Sequence, residues 1–215
     1  MLRPVRWPVT APRLSRVYAA AAVLVAATAL LPPIGSGSRH HLWVEGAQFL
    51  LLACALPALT ALALPARWRP VRPGRPWMIS ALLLETADLG LWRSKAAVDG
   101  IAHHPWLASL EGICLLAGGA ALWSFMLATP LRGPSYPWRM ALAAFAMWWL
   151  WILAYLVGFS SATWYPAYAS HSGWSVSAEQ QITTAMLWAG AGLAFLPVIF
   201  WGLWQWLAPE RNHGA

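Results

Sequence analysis

The chain has 215 residues, 60% of them hydrophobic and only 10% charged, with a formal net charge of +7 and a mean hydropathy of +0.54. A soluble domain carries about 25% charged residues, so there are too few charges here to coat a water-facing globule. The positive balance does not read as nucleic-acid binding either. The basic residues fall in short clusters between apolar runs, which is the pattern of membrane orientation.

The composition is that of a single all-α integral membrane domain over residues 1–215, a polytopic, Trp-rich helical bundle with 17 Trp and 17 Pro. A crossing needs roughly 20 apolar residues. Six segments qualify in chain order: 17–34, 42–65, 77–92, 106–128, 138–159 and 182–207. Glu85 and Asp88 interrupt the third. Prolines bound most of them, and Trp43, Trp77, Trp92, Trp106, Trp138, Trp204 and Trp206 lie near their ends, as an interfacial aromatic belt requires. The first segment also resembles a secretory leader, but Leu30-Leu31-Pro32-Pro33-Ile34-Gly35 is a poor cleavage context.

Basic residues set the expected direction. Arg3, Arg6, Arg13 and Arg16 precede the first span. Arg67, Arg69, Arg72 and Arg75 follow the second, Arg132 and Arg139 lie between the fourth and fifth, and Arg211 is in the tail. The alternate loops hold only Arg39, Arg93 and Lys95, so the partition is eleven against three. The positive-inside rule then predicts a multi-pass protein of the inner (plasma) membrane with both termini cytoplasmic.

With that topology, nearly all remaining polar groups gather at the outer face. His40, His41, His103, His104, His171 and Asp99 fall in outer loops, and only His213 and Glu210 lie inside. Glu45, Glu111 and Glu179 open spans two, four and six; Gln180 and Gln181 follow Glu179, and Glu85 and Asp88 occupy the outer half of span three. His41 and Glu45 share a face if the helix begins early enough; His104 and Glu111, seven apart, share one too, and Glu85 and Asp88 are neighbours on one stripe. An acid inside a bilayer is expensive and faces the bundle interior with a partner. The candidates are the outer histidines, Arg93, Lys95 or a metal ion. A weak internal echo links His41-Leu-Trp-Val-Glu45-Gly46 to His104-Pro-Trp-Leu-Ala-Ser-Leu-Glu111-Gly112.

Imidazole suits copper, zinc, iron or nickel, and a carboxylate can complete the shell. His40, His41, His103, His104 and His171, with Glu45 and Glu111, are therefore candidate metal ligands, while Glu85, Asp88, Glu179, Gln180 and Gln181 are candidate buried polar groups. The plainer alternative leaves the histidines solvated and pairs the acids with Arg39, Arg93 and Lys95. No HxxxH, HExxH or CxxC spacing is present, so the signal is one of distribution. Cys54, Cys114 and Met186 read as packing residues, although Cys114 follows Glu111 by three. Gly118-Gly119 and Gly190-Ala191-Gly192 suit either broken helices or close packing. No histidine projects from within a span to hold haem, and no hydrolase or transferase motif appears, so no enzyme is expected.

Two segments carry a family resemblance. Ala178-Glu-Gln-Gln-Ile-Thr-Thr-Ala-Met-Leu-Trp188-Ala-Gly190 is similar to the opening of the last span in CtaG-type cytochrome c oxidase assembly factors. Val98-Asp-Gly-Ile-Ala-His-His-Pro105-Trp-Leu-Ala-Ser-Leu-Glu111 is similar to that family's Asp, His-Pro and Leu-Glu elements, and the apolar run from Glu45 to Pro57 is a third, less specific match. The resemblance implies a factor that helps deliver copper during oxidase assembly, with an oxidase subunit or another membrane complex as partner and copper as its metal. The chain departs from the pattern at Gly112, where the family places histidine, at Arg93-Ser-Lys95 in place of a His-x-Pro element, and in having six spans rather than seven.

The leading expectation is thus copper handling at the outer face. The alternative is a non-catalytic interaction subunit that has lost the metal and docks through Trp148, Trp149 and Trp151. A small-solute or proton-coupled transporter built on Glu85 and Asp88 is the third. Converging histidines fit the first, splayed ones the second.

Overall fold

The structure is a computed structural model that describes residues 12–64, 75–127, 136–160, 162–168 and 173–207. His171, His213 and Glu210 lie outside these residues, as do the basic residues Arg3, Arg6, Arg67, Arg69, Arg72, Arg132 and Arg211. Among the described residues all regular structure is helical. The elements are α1 (Pro12–Leu30), α2 (Ile34–Gly37), α3 (Leu42–Leu50), a π-helical turn (Leu51–Ala55), α4 (Leu56–Ala63), α5 (Arg75–Trp92), α6 (Lys95–His103), α7 (Pro105–Met126), α8 (Tyr136–Gly158), a 3-10 turn (Pro166–Tyr168) and α9 (Val176–Leu207).

Five helices are long and apolar enough to cross a membrane: Leu14–Gly37, Leu42–Ala63, Pro105–Met126, Tyr136–Gly158 and Val176–Leu207. They coincide with five of the six expected spans. The remaining one, at 77–92, does form a helix of 18 residues as α5. Arg75, Glu85 and Asp88 make it too polar to count with the other five on composition alone.

The second crossing is one continuous rod made of α3, the π turn and α4. Pro57 explains its irregularity: proline has no N–H to give the carbonyl four residues back, and its ring crowds that carbonyl. The chain widens into a π turn just before it, a local adjustment that re-satisfies backbone groups freed by a proline. Gly119 on α7 exploits the same place, since a Cβ there would lie 3.3 Å from the Ala53 carbonyl oxygen and 2.7 Å from Pro57 Cγ. The glycine therefore lets two backbones approach closely. Both α7 and α9 run unbroken through their glycines, so Gly118-Gly119 and Gly190-Ala191-Gly192 are packing positions and not helix breaks.

The last two crossings, α8 and α9, pack along each other and are tied by a reciprocal clasp. Trp151 Nε1 donates to the Trp188 carbonyl and Trp188 Nε1 donates to the Trp151 carbonyl, each at 3.1 Å. Trp148 is largely exposed and Trp151 about a third exposed (37%), but Trp149 turns inward and donates Nε1 to the Thr86 carbonyl at 3.1 Å. The expected Trp148–Trp149–Trp151 docking surface is thus divided between two faces of α8, because consecutive helical residues point about 100° apart. Exposed Trp77, Trp106, Trp204 and Trp206 lie at helix ends, as an aromatic belt would have them.

Candidate functional site

At the end of the bundle where α3, α7 and α9 begin and α5 finishes, four charged side chains are buried: Glu45, Arg93, Glu111 and Glu179, each no more than 3% exposed. The local sequence explains how each arrives there. His41 is the extended N-cap residue of α3, which places Glu45 in the first turn. His104 is likewise the extended N-cap of α7, with Pro105 following, and Glu111 comes two turns later. Glu179 lies in the first turn of α9. A carboxylate near a helix N-terminus is favoured by the unpaired amide groups there.

Arg93 is the hub. Its guanidinium pairs with Glu45 and lies over the Phe49 ring at 4.3 Å, within electrostatic reach of Glu111. Two carboxylates therefore face one guanidinium. Among the described residues Glu45 Oε2 and Glu111 Oε1 have no hydrogen-bond partner. The backbone carbonyl of Arg93 accepts from the Tyr165 hydroxyl at 2.9 Å. Burial, with Glu45 and Asp99 nearby, pushes the Tyr165 phenol up to about 12 even though the Arg93 charge opposes it.

Around the hub, loops are fastened to helix ends. Glu179 Oε2 accepts from the Leu42 amide at 2.6 Å, and its other oxygen is 3.5 Å from His41 Nδ1. Tyr168 donates to the Ser38 carbonyl at 3.0 Å. Asp99 Oδ1 accepts from the Ala167 amide at 3.4 Å. Gln180 Nε2 donates to the Val157 carbonyl at 3.0 Å, and its Oε1 accepts from the Trp164 amide at 3.4 Å. Leu42, Val98, Val157, Tyr165 and Tyr168 form a small apolar cluster under these bonds. Gly46 admits Thr183 of α9, since a Cβ at Gly46 would lie 2.8 Å from Thr183 Cγ2.

The candidate residues thus separate into groups. Glu45 and Arg93 meet, as do His41 and Glu179, and Glu85 and Asp88 converge on Gly118 elsewhere in the bundle. Gln180 is buried and bonded, whereas Gln181 is exposed. The His41–Glu45 face does not form because α3 begins at Leu42, which leaves His41 outside the helix. His104 is exposed while Glu111 is buried. His40 and His103 are also exposed. Among the described residues no three His, Cys, Asp or Glu side chains come together as a metal-holding group, and His171 lies outside those residues. In the sequence Arg93 is one available partner among several, and Tyr165, Tyr168 and Ser38 are not among the candidate residues. The Tyr165-Pro-Ala-Tyr168 spacing beside an outer span was the available signal.

No characterised protein and no solved structure matches the chain. The family profile described as cytochrome c oxidase caa3 assembly factor matches residues 1–208, and the buried Glu45, Glu111 and Glu179 all lie within that stretch. The chain therefore belongs to the Caa3_CtaG family of cytochrome c oxidase caa3 assembly factors.

Proposed function

We propose that this protein serves oxidase assembly as a non-catalytic factor of the inner membrane that handles copper as cargo at the outer face. In this reading α5 also crosses the membrane, giving six spans with both termini cytoplasmic, and an oxidase subunit docks at the histidine-bearing end. The observation that carries it is the exposure of His40, His103 and His104, with half-buried His41, at the end where Glu45, Glu111 and Glu179 are held internally. Among the described residues these imidazoles do not converge with two further ligands, so the reading is of accessible side chains that take up and surrender cargo and not of a preformed cage.

Copper titration of the detergent-purified protein, reduced and oxidised, beside a variant with His40, His41, His103, His104 and His171 changed to Ala, tests this. Stoichiometric binding lost in the variant supports it; equal weak binding by both proteins overturns it. The second outcome favours an interaction subunit without metal. That reading draws on the internal pairing of Glu45 with Arg93 and of Glu179 with the Leu42 amide, which commits one oxygen of each acid inside the protein.

A further inference from the structure

We propose that Glu85 and Asp88, converging over Gly118, form a proton-binding site within the bundle in which two carboxyl groups hold one exchangeable proton between them. The site is separate from the Arg93 hub, and the proposal does not depend on copper handling.

Its geometry begins with helix spacing. Residues three apart on α5 lie on one stripe, and that stripe packs on α7 at Gly118. A Cβ at Gly118 would lie 2.9 Å from Glu85 Oε2 and 2.7 Å from Asp88 Oδ2. Both oxygens therefore enter the space that only a glycine leaves open. Glu85 is 2% exposed, and its Oε2 has no hydrogen-bond partner among the described residues. Asp88 is half-buried, so one acid is enclosed and its neighbour gives access.

Among the described residues, the groups facing the pair offer no positive charge. The π turn presents the Cys54 thiol, α7 presents Gly118, and α8 presents Trp149, whose indole N–H is already given to the Thr86 carbonyl. Arg93, further along the chain from α5, is engaged with Glu45. An isolated ionised carboxylate in an apolar interior is costly, and two adjacent carboxylates cannot both ionise cheaply. One bound proton removes one charge and supplies the missing donor for the second carboxylate. The proton enters on the Asp88 carboxylate and is shared with Glu85; no other bond is made or broken.

Dicyclohexylcarbodiimide, which couples to protonated carboxyl groups in apolar surroundings, provides the test on the intact protein in detergent, with the labelled peptide identified by mass spectrometry. Labelling at Glu85 is expected to persist at neutral pH and to vanish in Glu85→Gln. In Asp88→Asn the labelling midpoint should move down by about one pH unit or more, because the neighbouring negative charge that retains the proton is gone. Gly118→Ala, which forces the flexible carboxyl ends apart, should move it the same way and serves if Asp88→Asn does not fold. Labelling confined to pH below about 5, the ordinary carboxylate range, or a midpoint unmoved in both variants, overturns the proposal. Protection by excess sodium ions at constant pH also overturns it and assigns the site to a metal cation.

Discussion

Arg93 and Glu45, 48 positions apart in the chain, meet as an ion pair in which each side chain is only 1% exposed. The pair joins the end of α5 to the first turn of α3, and Tyr165 joins the α8–α9 connection to the same point through the Arg93 carbonyl. Two helices and a loop are therefore registered by one arginine.

Breaking that pair from one side should be worse than removing it whole. Arg93→Met leaves Glu45 and Glu111 buried without a counter-charge, and the loss should be about 3–5 kcal/mol. Arg93→Met combined with Glu45→Gln and Glu111→Gln should recover much of it. Thermal unfolding in detergent, followed by circular dichroism, decides. A triple variant no more stable than the single one would show that the arginine acts through packing instead.

Glu179 should behave as a fastener for the start of α3. Glu179→Gln keeps an oxygen to accept the Leu42 amide and gives up only the charge toward His41. Glu179→Ala strands that amide, at a cost of about 1–3 kcal/mol. Hydrogen exchange should therefore rise at Leu42 to Glu45 in the alanine variant and little in the glutamine one.

The close approach of α3 to α9 at Gly46 and Thr183 predicts overpacking. Gly46→Ala should destabilise the protein by about 1–3 kcal/mol, because its methyl would meet Thr183 Cγ2. Adding Thr183→Ser removes that methyl, keeps the hydroxyl that donates to the Glu179 carbonyl at 2.8 Å, and should restore the melting temperature.

Tyr165 gives a dependence on alkaline pH. Its folded-state pKa, pushed up to about 12 chiefly by burial, stands above the ordinary value of 10.0. The folded state then binds more protons than the unfolded one between those values. The stabilisation is complete below pH 10 and is lost as pH rises toward 12. Tyr165→Phe should lower stability near neutrality, since the bond to the Arg93 carbonyl is gone, and should flatten the decline above pH 10.

The apolar runs and their proline boundaries were enough to locate the long helices, because a span in lipid must satisfy its own backbone and so declares itself as a long apolar stretch. The helix α6 (Lys95–His103), too short and polar to span, falls where the sequence predicts an outer loop holding Asp99 and His103. Helical spacing was likewise enough to put Glu85 beside Asp88, since residues three apart on one helix are neighbours in any fold. The CtaG-type resemblance rested on local strings such as Glu179-Gln180-Gln181, and the family match over residues 1–208 agrees with it. Tertiary structure alone decided which partner each acid took. Arg93, Lys95 and the outer histidines were equally available to Glu45 in the sequence, and the choice depended on where α5 ends relative to α3. The exact start of α3 at Leu42 turned His41 away from Glu45 and toward Glu179. Those are contacts across 48 and 138 residues, and no local pattern encodes a pairing that only the packing of separate helices brings within reach.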